Sequence, residues 1–521
     1  MREANTKNAG KLNRREERTR KEQQEKRKVR IVAVIVVIVF ALLVAGALLI
    51  NSKFIRRAAT AISIGGINFT PAEFDFFYNS TYREYSDYIN NYYGDYASTM
   101  LPETNRAHAS QLFNPDTGET WADYFASNAI TQMSELVQYY NASKSAGYVL
   151  PDDKIAEIDN EISVYRQYAA DWGYPSLDAF IQQTIAMNMN EKSLRNLLEF
   201  VTTASAYSEY VTDSLVYSEE ELADYYSENR NNLDSFTYRY FLILSDAVTE
   251  SDYDTTEAYE AAKEESLQAS YARAAQIAGE INSEDDLIAA AREYNENTYK
   301  DPDSTLKVYP GSWLGTTYGE WLQDDARQPG DVSSFEIATG GYVVYFIDRD
   351  PNEYNMVQMR QIFIARQVLD TTEFDGGDED PAYKEAFNLV DMVAAGRAEE
   401  VLNLFIEGGA TEDKLIELMA DYSDDSTEGG FYGEITKNQA NNKKPQEIEQ
   451  WLFTPGRQVG DYEVIYSEAD GYYLVYFSGF GERYCDFLAD SGLREKDYSE
   501  WHDSLEPVEA VKKWAFILTA N

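Results

Sequence analysis

The spacing of apolar residues divides the chain into regions with different periods. Residues 31–50 are twenty consecutive residues without a charge. From residue 70 to about 226, apolar residues recur at helical spacing with few Gly or Pro, which predicts five or more helices. Thr70 opens this region as an N-cap, and Glu73 completes a capping box around it. A short strand that turns at Gly65-Gly66 is predicted just before it.

Beyond residue 235 the period changes, and one order of elements occurs twice. Residues 236–244 are aromatic and β-branched, which predicts a strand, and residues 256–298 have a helical pattern. A second strand at 359–364 and a second helical stretch at 382–421 repeat this order. Each copy then runs through a Gly turn, a short helix and a Gly-Asp turn into a last strand, which is an α+β order.

A sequence repeat supports this duplication. Trp-Leu, Arg-Gln and Gly-Asp occur at identical spacing between Trp321 and Asp331 and between Trp451 and Asp461. Each copy is followed by an aromatic, apolar run that ends in Tyr-Phe. Six identical residues before two similar strands indicate a duplicated module.

Charge changes the interpretation of the N-terminus. Residues 1–30 carry a net charge of +7, and the rest of the chain carries −52. A helix of twenty residues is about 30 Å long, the thickness of a bilayer's hydrocarbon core. We therefore expect a transmembrane signal anchor at 31–50, with residues 1–30 as a cytoplasmic basic tail and the main body outside the cytoplasm. A cleavable signal peptide is the alternative, although the run is long for one.

Composition and motifs exclude several classes of function. The net charge of −45 opposes binding to nucleic acid, because phosphates would be repelled. Cys485 is the single cysteine, so an intrachain disulfide is impossible. The sequence has no phosphate-binding Gly loop and no His/Cys cluster, so we expect neither a cofactor nor a metal ion.

Four segments of the second copy resemble the parvulin-type peptidyl-prolyl isomerases. They are Arg-Gln-Ile-Phe-Ile at 360–364, Ser-Asp-Asp-Ser at 423–426, Gly429-Gly430, and Gly-Tyr-Tyr-Leu-Val at 471–475. The family has Arg-His-Ile-Leu-Ile, Ser-Asp-Cys/Asp-Ser with Gly-Gly, and Gly-(Tyr/Ile)-His-Ile-Ile in the same order. The helical region is similar to the N-terminal chaperone domain of SurA- and PrsA-like extracytoplasmic foldases.

The resemblance implies an α+β fold class with a single N-terminal transmembrane helix, an all-helical chaperone-type domain and two tandem parvulin-like domains. The helical domain would cover residues 60–235. The parvulin-like domains would cover 236–350 and 356–482, and a C-terminal helical tail would follow at 483–521.

The resemblance also implies a candidate site. The first family histidine is replaced by Tyr240 and Gln361 in the two copies, and the second by Tyr342 and Tyr473. Only the second copy keeps a carboxylate at the family's Cys/Asp position, Asp425. The candidate catalytic residues are therefore Asp425, Gln361 and Tyr473, in the place of the family's buried hydrogen-bond network.

We therefore expect a membrane-anchored extracytoplasmic folding factor whose partners are unfolded or newly translocated polypeptides. Since both histidine positions are replaced, prolyl isomerisation should be weak or absent. Two alternatives stay open. One is an active peptidyl-prolyl cis-trans isomerase acting through the second copy, and the other is a surface scaffold that binds one fixed partner.

Overall fold

The computed structural model describes residues 34–41, 44, 53–437 and 445–519. They form two compact units, one from the described parts of Met1–Val216 and Asp497–Asn521, the other from Tyr217–Lys496. The chain therefore leaves the first unit and returns to it. The segment expected to be a C-terminal tail is divided between the two units.

The helices are α1 (Lys53–Ala58), α2 (Pro71–Tyr93), α3 (Trp121–Ser145), α4 (Asp152–Asp171), α5 (Leu177–Thr184), α6 (Glu191–Asp213), α7 (Glu219–Leu233), α8 (Thr256–Glu280), α9 (Glu284–Tyr294), α10 (Gly319–Gln323), α11 (Pro381–Glu407), α12 (Glu412–Tyr422), α13 (Gln446–Leu452) and α14 (Tyr484–Asp503). The strands are β1 (Ile62–Ile64), β2 (Ile67–Phe69), β3 (Leu112–Asn114), β4 (Glu119–Thr120), β5 (Ser235–Leu244), β6 (Leu306–Pro310), β7 (Val332–Ile337), β8 (Gly340–Asp350), β9 (Asn355–Ala365), β10 (Phe431–Ile435), β11 (Tyr462–Ser467), β12 (Gly471–Arg483) and β13 (Ala510–Lys512).

The structure does not support the single transmembrane helix that the sequence predicted at 31–50. In the described part of the chain, every helix is too short or too polar to cross a bilayer. Within 31–50, the described residues 34–41 and 44 are helical. The rest of 31–50 and the basic tail at 1–30 lie outside the described residues.

The prediction of an all-helical domain at 60–235 was wrong, because the first unit also contains strands. Its helices enclose a core that includes Phe74, Phe125 and Met133. A three-stranded sheet in the order β13-β1-β2 adds Ile62, Ile64 and Phe69 to this core. Strand β13 pairs with β1, Ile62 opposite Lys512, so a strand from the end of the chain completes the unit.

The second unit contains two modules with the same topology. The first module is built on the sheet β6-β5-β8-β7, and the second on β10-β9-β12-β11. In each sheet all neighbouring strands are antiparallel. One face of each sheet packs on two helices, α8 and α9 in the first module and α11 and α12 in the second.

The repeated Trp and Arg make the same contacts in both modules. The Nε of Arg327 donates to the carbonyl of Trp321 at 3.1 Å, and its guanidinium lies 4.0 Å from the centre of that ring. The Nε of Arg457 donates to the carbonyl of Trp451 at 3.1 Å, with the guanidinium 3.8 Å from the ring centre. Each Arg therefore holds a short helix through a hydrogen bond and a cation–π contact.

The repeated Gly-Asp turn also has one geometry. Gly330 and Gly460 have φ angles of 94° and 96°, a region that strains residues with a side chain. Their amides donate to the carbonyls of Phe346 at 2.9 Å and Phe477 at 3.0 Å, in the last strand of each module. The turn thus joins the short helix to the sheet, and this explains why both copies have Gly there.

Candidate functional site

The segment that carries Asp425 is held against the open edge of β9. Beyond Arg360, β9 is no longer paired with β10, and residues 423–424 bind its backbone instead. The amide of Phe363 donates to the Oγ of Ser423 at 3.1 Å, and the carbonyl of Phe363 accepts from the amide of Asp424 at 2.7 Å. The Ser-Asp pair therefore takes the place of an edge strand and positions the next residue, Asp425.

Arg360 and the Gly-Gly turn hold the other end of this segment. The guanidinium of Arg360 donates to Glu412 at 2.6 Å and to the carbonyl of Gly429 at 2.7 Å. Gly430 has a φ of 58°, and a Cβ there would lie 2.3 Å from the carbonyl oxygen of Gln361. Only glycine allows this close approach, which places the turn directly beside Gln361.

Gln361 and Asp425 belong to one hydrogen-bond network. An Oδ of Asp425 accepts from the Nε2 of Gln361 at 2.6 Å and from the hydroxyl of Tyr432 at 2.7 Å. The other Oδ accepts from the amide of Thr427 at 2.9 Å. Because the Tyr432 proton goes to the carboxylate, the hydroxyl of Thr427 donates to the Tyr432 oxygen at 2.6 Å.

These bonds keep Asp425 ionised. Partial burial acts to raise the pKa of Asp425, but the hydrogen bonds from Tyr432, Thr427 and Gln361 outweigh it and lower the pKa to about 2. Burial raises the pKa of Tyr432. A carboxylate with so low a pKa is a poor general base at neutral pH, so the network suits binding better than proton transfer.

The side-chain oxygen of Gln361 is an acceptor in need of a donor. Since the carboxylate of Asp425 only accepts, the NH2 group of Gln361 must face it and the oxygen must point away. Gln361 is 2% exposed, and among the described residues this buried oxygen has no hydrogen-bond partner. An unmet buried acceptor costs about 1–3 kcal/mol, so the network is held at some cost in stability.

Tyr473 lies on the same sheet face but contributes differently. It is opposite Phe363 in the β9–β12 pair, and the two rings stack with centres 4.5 Å apart. Burial raises the pKa of the Tyr473 hydroxyl, and the charge of Asp470 adds to the shift. The hydroxyl of Tyr473 donates to the carboxylate of Asp470, whereas Gln361 donates to Asp425. The ring of Tyr473 extends the apolar side of the site.

Sequence reasoning missed two members of the network, Thr427 and Tyr432. For Thr427 the signal was Asp425 itself, because an Asp side chain in an Asx turn accepts from the backbone amide two residues later. Tyr432 had none, since its role depends on the turn at Gly430 that brings β10 beside Gln361.

The first module has an aromatic cluster in the corresponding place. The ring centres of Tyr240 and Tyr342 are 5.5 Å apart, and the ring of Tyr318 lies 6.0 Å and 5.6 Å from them. The hydroxyl groups of Tyr238 and Tyr318 are 3.3 Å apart. Burial raises the pKa of Tyr240, so these neutral rings offer stacking surfaces and hydroxyl groups rather than a carboxylate.

The sequence matches no protein-family model and none of the curated proteins with which it was compared.

Proposed function

We propose that the protein is a folding factor that binds unfolded polypeptide, similar to the SurA- and PrsA-like foldases, with little prolyl isomerisation. The main support is the network of Gln361, Asp425 and Tyr432 beside the stacked rings of Phe363 and Tyr473. It combines the partly exposed polar groups of Asp425 and Tyr432 with the partly exposed apolar surface of Phe363. Peptide recognition uses these two kinds of contact.

The same geometry argues for slow catalysis. Rotation about an X–Pro bond must cross a barrier of about 18–20 kcal/mol, and a catalyst must bind the twisted amide more tightly than the planar one. In the second module the carboxylate of Asp425 already accepts three hydrogen bonds from its own chain. Its charge therefore serves to position Gln361 and Tyr432, and little of it remains to stabilise a twisted substrate.

Suppression of aggregation tests the binding function. The full chain, at equal or several-fold excess, should slow the light scattering of a chemically unfolded client protein as it is diluted from denaturant. Asp425→Ala should weaken the effect several-fold, because Gln361 and Tyr432 lose their common partner. Asp413→Ala, an exposed acid on α12, is the matched control and should act like wild type. Unchanged scattering at several-fold excess of the wild type would contradict the proposal.

A proline-containing peptide separates binding from isomerisation. With the full chain at micromolar concentration, cis-to-trans conversion should take about as long as the uncatalysed reaction, which needs tens to hundreds of seconds. A rate that rises in proportion to protein concentration and is lost in Asp425→Ala would establish the active isomerase instead.

The scaffold alternative predicts a different pattern. Cross-linking in cells would then recover one partner in a fixed ratio, whereas a folding factor should be joined to many polypeptides. A single stoichiometric partner, together with no effect on client aggregation, would favour the scaffold.

A further inference from the structure

Helix α11 has apolar side chains on two opposite faces. Its inner face packs against the sheet of the second module through a set of buried residues: Ala394, Ala398, Val401 and Phe405. Its outer face carries Leu389, Met392 and Val393, which are 64%, 71% and 61% exposed, and Gly396 follows at the same spacing. Positions separated by three and four residues lie on one side of a helix, so these residues form one apolar stripe. We call this stripe the outer face of α11.

The first module shows that its fold does not require such a stripe. Helix α8 occupies the corresponding layer and packs on its sheet through Ser270 and Ala274. The opposite side of α8 carries Glu265, Gln268 and Ala272, which are exposed and polar or small. Of the described residues of α8, none is an exposed large apolar residue. The outer face of α11 therefore has a property that its duplicate lacks.

Carboxylates border the stripe at both ends. At 100° per residue, Glu385 precedes it, and Glu399 and Glu400 follow it, on the same side of α11. All three are exposed, and none forms an ion pair within the described part of the chain. The two basic residues of α11 form ion pairs with other carboxylates: Lys384 with Glu379 at 2.6 Å and Arg397 with Asp424 at 3.1 Å.

We propose that the outer face of α11 binds a cationic amphipathic polypeptide segment. Apolar side chains of the segment would pack on Leu389, Met392 and Val393, and its Lys or Arg residues would reach the carboxylates at either end. Those carboxylates are about 21 Å apart along the helix, the length of about 14 helical residues. The unbranched side chain of Met392 adapts to different apolar partners.

A second copy of the chain fits this face poorly. If two outer faces packed antiparallel about Met392 and Val393, Glu385 of each copy would lie opposite Glu400 of the other. Like charges at the ends of an apolar contact oppose such a dimer and select a partner of opposite charge. The proposal is independent of the proposed folding function, because α11 packs on the sheet face opposite the one that carries Gln361 and Tyr473.

Two labelled peptides test the proposal on the full chain. Both are helical, about 18 residues long, and share Leu residues at helical spacing. One has Lys at both ends of the apolar face, and the other has Glu. By fluorescence anisotropy, the Lys peptide should bind about tenfold more tightly at low ionic strength, and added salt should reduce the difference. Equal affinities for the two peptides would overturn the proposal.

Paired variants locate the binding. Glu399→Lys with Glu400→Lys on α11 should reverse the preference between the peptides. Glu264→Lys with Glu265→Lys on α8 is the matched control, an adjacent pair of exposed acids on the duplicate helix, and should leave the preference unchanged. Met392→Gln should weaken the binding of both peptides. Since the Met392 side chain is 71% exposed, the thermal unfolding curve of this variant should match that of the wild type.

Two further results would overturn the proposal. One is an equal loss of preference in the α8 and α11 charge variants, which would reflect the net charge of the protein rather than a site. The other is sedimentation that shows a dimer which Met392→Gln dissociates, because the occupant would then be a second copy of the chain.

Discussion

At the scale of single residues, one carboxylate organises the candidate site. Asp425 accepts hydrogen bonds from Gln361, Thr427 and Tyr432, which come from three different segments. The family resemblance pointed to Gln361 and Asp425 because strand patterns locate them. It could not supply their partners, since hydrogen bonds across a turn depend on backbone geometry that a linear pattern does not contain. Tyr473 shows the reverse case, a residue in the predicted place with a different role.

The low pKa of Asp425 predicts how stability changes with pH. A carboxyl group whose pKa falls from 3.8 to about 2 on folding stabilises the folded state fully above about pH 3.8. This contribution is lost as the pH falls through about 2. In wild type it should be on the order of 1 kcal/mol after solvent screening. Amide hydrogen exchange in β9 and β12, followed at increasing urea concentrations, measures this contribution to the free energy of unfolding.

The control for this prediction is Asp425→Asn, which keeps the shape and removes the charge. The difference between wild type and Asp425→Asn should shrink as the pH falls from 4 to 2. Asp413→Asn, on the exposed side of α12, should follow the wild-type profile. A wild-type advantage that stays constant over this range would show that the charge of Asp425 is not stabilising.

At the scale of elements, local signals were reliable and remote ones were not. The capping box at Thr70 is confirmed, with Glu73 accepting from the Thr70 amide at 2.7 Å, because it involves only four consecutive residues. The duplicated modules were visible as well, since each repeats a full set of turns. Strand β13 was missed because it has no Gly-Gly turn beside it to indicate a hairpin, and its partner β1 lies more than four hundred residues earlier.

The repeated Gly-Asp turn gives a prediction at this scale. Gly460→Ala should destabilise the second unit by about 1–3 kcal/mol, because its φ of 96° strains an alanine, even though a Cβ would meet nothing closer than 3.8 Å. Gly396→Ala is the control, in the middle of α11 with open space around it. It should stabilise by about 0.5–1 kcal/mol. Thermal unfolding distinguishes the two signs, and a neutral Gly460→Ala would contradict the strain.

At the scale of the whole molecule, the first unit depends on the end of the chain. Residues 510–512 pair with β1, and the ring of Phe516 lies 4.8 Å from the ring of Phe74 in the core. Ala515 and Leu518 are buried. Sequence patterns placed this segment in a tail, because nothing in its local composition indicates where it docks.

Removal of residues 510–521 should therefore unfold part of the first unit. We expect amide protection in β1 and β2 to fall by at least tenfold, while protection in β9 and β12 stays at the wild-type level. Trp514→Ala, at a side chain that is 58% exposed, is the control and should change neither. Undiminished protection of β1 after the truncation would show that β13 is dispensable.

This arrangement sets the order in which the protein can fold during synthesis. About 280 residues separate the two parts of the first unit, and a ribosome adds about 5–20 residues each second. The N-terminal part must therefore wait roughly 14–56 seconds for its final strand, whereas the inserted unit is complete before that strand emerges. During this interval β1 has an unpaired edge, so the nascent chain is itself in need of protection from aggregation.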